Sequence, residues 1–274
     1  MQFKKRFSYP YIAWSVLFVI APLTIMLLYA FGVLGGEGIT LDNFKTFFQP
    51  AYLKIFAKSL LMAAICTALC LVVSYPAAYY ISRLNGRKRN ILFTLIIVPT
   101  WMNALLRTYS WMTLLAKNGI INNFLTLFGL AQMNLLYNNG AVFIGMVYNY
   151  LPFMLYPIYS TLIKTPRIYE KASMDLGANR LTTFFKITLP LSAPGIITGI
   201  AMVFIPSVCM FVIPDLLGGA QQMYMGKLIQ HQFFQKGDWG FGSALAVILT
   251  IVILTIMYFI NKYDADSLKG ENMQ

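Results

Sequence analysis

Residues 165–190 read TPRIYEKASMDLGANRLTTFFKITLP. This is the longest polar interlude between strongly apolar segments that still carries ordered-structure signals. Thr165 is placed to cap a helix whose first position is Pro166, where a missing N–H costs nothing, and Glu170 then falls near the positive end of the helix dipole. Gly177 stops that helix about three turns on. Ile168, Ala172 and Leu176 share one face, while Glu170, Lys171 and Asp175 point elsewhere, so the spacing predicts a short amphipathic helix. Asn179 is placed to cap a second helix that starts at Leu181. It runs through Phe184, Phe185, Ile187 and Leu189 into the next apolar span, with Pro190 just inside. Two short helices are expected to meet at Gly177, outside the hydrocarbon.

The rest of the chain explains why such an interlude exists. Its 274 residues are 58% hydrophobic and 11% charged, with 21 Phe and 17 Tyr. That composition fits a polytopic membrane protein and not a soluble domain of this length. The net charge of +12 does not point to nucleic acid, because the bases sit in short connections between apolar runs instead of on one soluble face. Cys66, Cys70 and Cys209 fall in apolar spans and read as buried thiols. Lys4, Lys5 and Arg6 precede an apolar run from Tyr11 to Leu34 with no A-x-A site, which reads as an uncleaved first span.

With about 20 residues per crossing, six spans are expected: 10–34, 57–82, 90–115, 141–163, 187–214 and 241–262. Bases concentrate on one side: Lys4, Lys5, Arg6, Arg83, Arg87, Lys88, Arg89, Lys164, Arg167, Lys171, Arg180, Lys186, Lys262 and Lys269. The positive-inside rule puts that side, both termini and the loop 164–190 in the cytosol. The outer connections, 35–56, 116–140 and 215–240, are long and mixed, and Ile120, Ile121, Phe124, Leu125 and Phe128 are spaced for a helix at the membrane surface. Pro76, Pro99, Pro152, Pro157, Pro194, Pro206 and Pro214 lie within spans and predict kinks, most of all in the fifth, where a broken helix lining a pathway is expected. No separate soluble domain is apparent, so residues 1–274 read as a single transmembrane domain.

Enzyme chemistry has little to stand on. One histidine, His231, excludes a histidine triad or multi-histidine metal site within the membrane. Gly219 to Lys227, GAQQMYMGK, departs from a phosphate loop: its glycines are seven apart, and Leu228 stands where Ser or Thr would bind magnesium. No metal or cofactor is expected in this chain, and any ATP and Mg would be bound by another. Arg107 sits a turn from Asn103 and Trp111, and either snorkels to the interface or stacks on the ring. Asp215 follows Pro214 at the outer end of the fifth span, either as a cap or ion-pair partner or as an attractor of cations. Trp101, Tyr109, Trp111, Tyr148, Tyr150, Tyr156 and Tyr159 crowd the third and fourth spans. Interface anchoring and packing account for such rings, and an aromatic path also suits an amine with methylene segments. A secondary transporter or a channel would need its own coupling or gating site, and intramembrane acids are scarce.

Ala172, Ser173, Gly177, Ile187, Leu189 and Pro190 follow the spacing E-A-A-x3-G-x9-I-x-L-P and thereby resemble the loop that marks inner-membrane permease subunits of bacterial ABC importers. The family's glutamate falls at Lys171 here, with Glu170 one residue earlier. PTWMNALLRTYSW (99–111) and VIPDLLGG (212–219) are similar to runs in the spermidine/putrescine permeases, and the resemblance covers nearly the whole chain. It implies the all-α, six-span type I (MetI-like) permease fold in the bacterial inner membrane. It also implies a second permease subunit, two ATPase subunits and a periplasmic substrate-binding protein as partners, with no nucleic acid. By the same resemblance Glu170, Lys171, Ala172, Ser173, Asp175, Gly177, Ile187, Leu189 and Pro190 are the expected ATPase-coupling residues. A permease for iron or an oxyanion is the alternative.

Overall fold

The computed structural model describes residues 14–36, 38–219 and 222–271, and among them every regular element is helical. Among the described residues three helices are long and apolar enough to cross a membrane: α3 (Pro50–Arg83), α7 (Asn139–Lys164) and α13 (Trp239–Glu271), the last over Trp239–Ile260. Two further candidate crossings are bent pairs, each apolar enough if its two halves count as one span. One joins Gly86–Trp101, containing α4 (Gly86–Ile97), to Ala104–Leu127, containing α5 (Ala104–Leu115) and α6 (Ile120–Leu127), with a 95° bend. The other joins α9 (Arg180–Leu191) to α10 (Ala193–Cys209) at 62°. A shorter apolar helix, α1 (Val16–Ala30), lies in the first expected span, whose start falls outside the described residues together with Lys4, Lys5 and Arg6. Both chain ends, and the side chains of Lys262 and Lys269, also lie outside them. The remaining elements are α2 (Asp42–Phe47), α8 (Ile168–Asp175), α11 (Val212–Leu217) and α12 (Met225–His231).

The broken helix expected in the fifth span is present, as the 62° bend, and so is an interruption beside Pro99, but not every span proline marks a break. Pro76, Pro152 and Pro157 lie inside helices that continue through them, α3 and α7. The breaks fall instead at Met102, Ser192 and Met210, each next to a proline-containing turn: Pro99 in a 3-10 turn, Pro194 in the first turn of α10, and Pro206 in its last turn. A proline near a helix end removes groups that are already unpaired, so the chain turns there at little cost. At the Met210 break the freed carbonyl of Pro206 is satisfied by the Tyr150 hydroxyl at 3.2 Å. This replacement of a helix bond by a neighbour's side chain is what hydrocarbon demands of an interrupted helix.

The chain divides into two compact units. In the first, residues 1–57 and 225–255, Ala30, Ala244 and Val247 pack with Met26 and Phe44, and Tyr52 meets Phe241 edge-on at 4.8 Å. The second, residues 58–224 and 256–274, has the larger core, which runs along α3, α7 and α10. There Gly195 and Gly199, one turn apart, let α10 approach α7 closely: a Cβ on Gly199 would stand 2.7 Å from the Met154 sulfur. Small residues at this spacing are how membrane helices gain contact without a hydrophobic driving force. Earlier along its length α7 also meets α3, where Ser74 donates to the Leu151 carbonyl at 3.2 Å.

Candidate functional site

The stretch 165–190 folds as two short helices around Gly177, with one change at its start. Thr165 closes α7, its hydroxyl donating to the Thr161 carbonyl at 3.0 Å, and α8 begins at Ile168 without a side-chain cap. Gly177 takes φ +89°, and the Ala178 N–H bonds the Ser173 carbonyl at 3.1 Å, the closure of a helix ending in a left-handed residue. Asn179 caps α9, its Oδ1 accepting from the Thr182 N–H at 2.8 Å.

The orientation of α8 inverts the usual amphipathic arrangement. Ile168 is 68% exposed and Leu176 89%, with Tyr169 and Met174 also outward. The side turned to the chain itself is polar. Glu170 pairs with Arg83, the last residue of α3, and the same carboxylate oxygen accepts from the Thr188 hydroxyl at 2.9 Å. Ser173 and Thr183 hydroxyls lie 3.2 Å apart, and Arg167 donates to the Ser82 carbonyl at 3.2 Å. Lys171 and Asp175 are exposed, so of the three charges the periodicity grouped together, only Glu170 turns in. Ala172, Ser173, Ile187 and Pro190, separated in sequence, line one open groove of about 600 Å³ between α8 and α9, with Leu176 and Lys186 at its sides. Leu189 packs against the core. Within α9 the backbone widens to a π turn at Phe184–Thr188, and the bend that follows is fastened to α3 by Tyr75 and Ser192, whose oxygens are 2.8 Å apart.

The structure brings only some of the expected path residues together. Trp111 and Tyr148 meet edge-on at 5.4 Å, and Tyr150 is buried at the Met210 break. Trp101, 80% exposed, stands at the bend after α4, and Tyr109 faces outward. Tyr159 stacks on Phe93 at 4.2 Å and belongs to the packing of α4 on α7. Asp215 is exposed in the first turn of α11, the helix that packs on α5 and α7. Arg107 neither snorkels nor stacks on Trp111: it is 7% exposed, and its Nε is buried without a hydrogen-bond partner. Among the described residues the cations over rings are Lys58, 4.7 Å from the Tyr224 centroid, and Arg83, 4.7 Å from that of Tyr79. Tyr224, its phenol pushed up to about 12 by burial, donates to Asn139 Oδ1 at 2.9 Å. Among the described residues no group of three or more His, Cys, Asp or Glu could hold a metal ion.

Sequence reasoning missed Arg83, Thr188, Tyr79 and Lys58. The available signal for Arg83 was its place as the terminal base of a span on the side where the acid Glu170 also falls.

The family model for a "binding-protein-dependent transport system inner membrane component" matches residues 71–268. The spermidine/putrescine transport system permease protein PotB of Escherichia coli K12 is 38% identical over 88% of this chain and 90% of that protein. PotB of Haemophilus influenzae is 36% identical over 90% of this chain and 88% of its own length. Among solved structures, a bacterial ABC transporter involved in the import of the acidic polysaccharide alginate superposes with a TM-score of 0.79 at 19% identity, covering 97% of this chain and 96% of that one. The MetNI methionine ABC transporter gives 0.58 at 14% identity over 78% of this chain and 95% of that one. These likenesses show the fold of ABC importer permeases.

Proposed function

The chain belongs to the family of binding-protein-dependent transport system inner membrane components, and on that premise we propose that it is the permease subunit of an ATP-driven importer of polyamines. It is a multi-pass protein of the inner membrane and a non-catalytic component. Its partners are an ATPase and a periplasmic binding protein; in finer terms, a PotC-like second permease, two PotA-like ATPase subunits and a PotD-like binding protein. ATP and Mg are bound by the ATPase, and this chain makes and breaks no covalent bond.

The observation that carries this reading is the outward apolar face of α8. Ile168, Tyr169 and Leu176 stand exposed on one face of a helix whose own chain holds it by the opposite, polar side. Apolar surface gathered on one element in this way marks a docking partner. Lodged in a groove of the ATPase, α8 follows the closure that nucleotide drives, and the attached spans rock as a rigid body. Ala172, Ser173, Gly177, Ile187, Leu189 and Pro190 shape the loop, Lys171 and Asp175 flank the docked face, and Glu170 ties it to the spans.

The substrate class rests on the likeness to polyamine permeases along almost the whole chain. Trp101, Tyr109, Trp111, Tyr148 and Tyr150 offer π faces to ammonium groups and apolar area to methylenes, and Asp215 supplies an acid at the outer mouth. The test is ATP hydrolysis by the reconstituted assembly. Spermidine with binding protein is expected to stimulate it, while sulfate and ferric iron do not. Stimulation by an oxyanion or by iron alone would overturn the polyamine assignment, and a solitary chain active in transport would overturn the ABC reading.

A further inference from the structure

The covalent links from α8 run back through residues 165–167 into α7 and forward through α9, where the helix is not regular. A π turn occupies Phe184–Thr188, and the segment is bent by 62° from α10. Wide turns and bends absorb a push that a regular helix would pass on.

A second route is made of side chains. Arg83 ends α3, its guanidinium lies over the Tyr79 ring, and it binds the Glu170 carboxylate that also holds Thr188. Arg167, three residues before Glu170, grips the Ser82 carbonyl, so the start of α8 is held by the last turn of α3 at two points. About two turns further back along α3, Tyr75 holds Ser192 at the bend. From Arg83 back to Lys58 the helix is unbroken, a rod of about 38 Å. At its far end Lys58 donates to Gln222 Oε1 at 2.6 Å and covers the Tyr224 ring, and Tyr224 in turn bonds Asn139 at the start of α7.

We propose that α3 is the lever of this permease, and that the Arg83–Glu170 ion pair is the clasp through which α8 drives it. Motion then passes from the ATPase-docking face to the Gln222–Tyr224 connection at the opposite end without crossing the π turn. The proposal rests on the reading of α8 as the docking element. The pair suits the task because both side chains are sheltered, 20% exposed for Arg83 and 15% for Glu170, so salt screens it less than a surface pair. Removing one partner leaves the other charge sheltered and uncompensated, so the clasp resists opening and α8 and α3 move as one body.

The test reconstitutes the full assembly in proteoliposomes and measures spermidine uptake per ATP hydrolysed. Arg83→Glu and Glu170→Arg are each expected to lower that ratio on the order of tenfold while the ATPase still co-purifies, because the outward face of α8 is untouched. The double exchange is expected to bring the ratio back to within about threefold of the parent, a recovery that a merely structural role for either residue would not produce. An unchanged ratio in the single variants, or a double variant no better than the singles, overturns the clasp. Where a reversed charge prevents accumulation in the membrane, Arg83→Lys and Arg83→Gln serve instead: the lysine keeps the pair and the ratio, the glutamine loses both, and equal ratios overturn the clasp. An unaltered assembly that retains no ATPase overturns the docking reading and this proposal with it, whereas a coupled parent with unaffected variants overturns the clasp alone.

Discussion

Gly195 lies so close to Pro157 that a Cβ on the glycine would stand 2.7 Å from the proline's carbonyl oxygen. The contact sets how closely α10 approaches α7 at the turn where Pro157 sits.

Gly195→Val is therefore expected to push α10 off α7, since the Thr161 side chain stands in the way at 2.6 Å and the Pro157 carbonyl beside it is backbone and cannot rotate away. Overpacking of this kind costs about 1–3 kcal/mol. Thermal denaturation of the purified chain in mild detergent checks it, and a melting temperature equal to the parent's would refute the close-packing account.

At Gly177 the constraint is conformational and not spatial. A Cβ there meets nothing within 4 Å, yet φ is +89°. Gly177→Val should strain the loop by about 1–2 kcal/mol and uncouple uptake from ATP hydrolysis, while Gly177→Asn, which tolerates the left-handed region, should retain most activity. Equal uptake by the two variants would remove the backbone argument.

Leu176, 89% exposed, contributes almost nothing to its own chain's packing. Leu176→Asp is expected to leave membrane insertion and folding of the chain unchanged and to weaken ATPase retention by about tenfold or more, as loss of an apolar anchor does. Co-purification of the ATPase at the parent's level would show that α8 docks elsewhere or not at all.

Asp215→Asn keeps the size of the side chain and removes its charge. If the acid concentrates a multivalent cation at the mouth, the spermidine concentration for half-maximal uptake should rise by roughly threefold or more, with basal ATP hydrolysis unaltered. An unchanged half-saturation point would leave Asp215 as a helix-end residue only.

What the sequence disclosed about the loop was what local chemistry determines. Gly177 and Asn179 act on backbone groups within three residues of themselves, and both do in the structure what their spacing predicted. The face of α8 that turns inward was not legible, because the reason for it, Arg83, stands 87 residues away. Thr165 misled for a related cause: its hydroxyl reaches a carbonyl in the helix behind it as readily as an N–H ahead. The prolines divided the same way. Pro99 and Pro194 sit where a turn was starting anyway, whereas the helices run on through Pro76, Pro152 and Pro157, which no local pattern distinguishes from the others.

The inside-out helix α8 also bears on how the chain is supplied to the cell. A copy made in excess of its ATPase leaves Ile168, Tyr169, Met174 and Leu176 in water, where chaperones and proteases that survey greasy surface treat it as unfinished. Its half-life is expected to lengthen when the ATPase is co-expressed and to shorten when it is not, a difference that a pulse-chase experiment measures. The element that couples transport would thereby meter the amount of transporter, with surplus subunits removed before they accumulate.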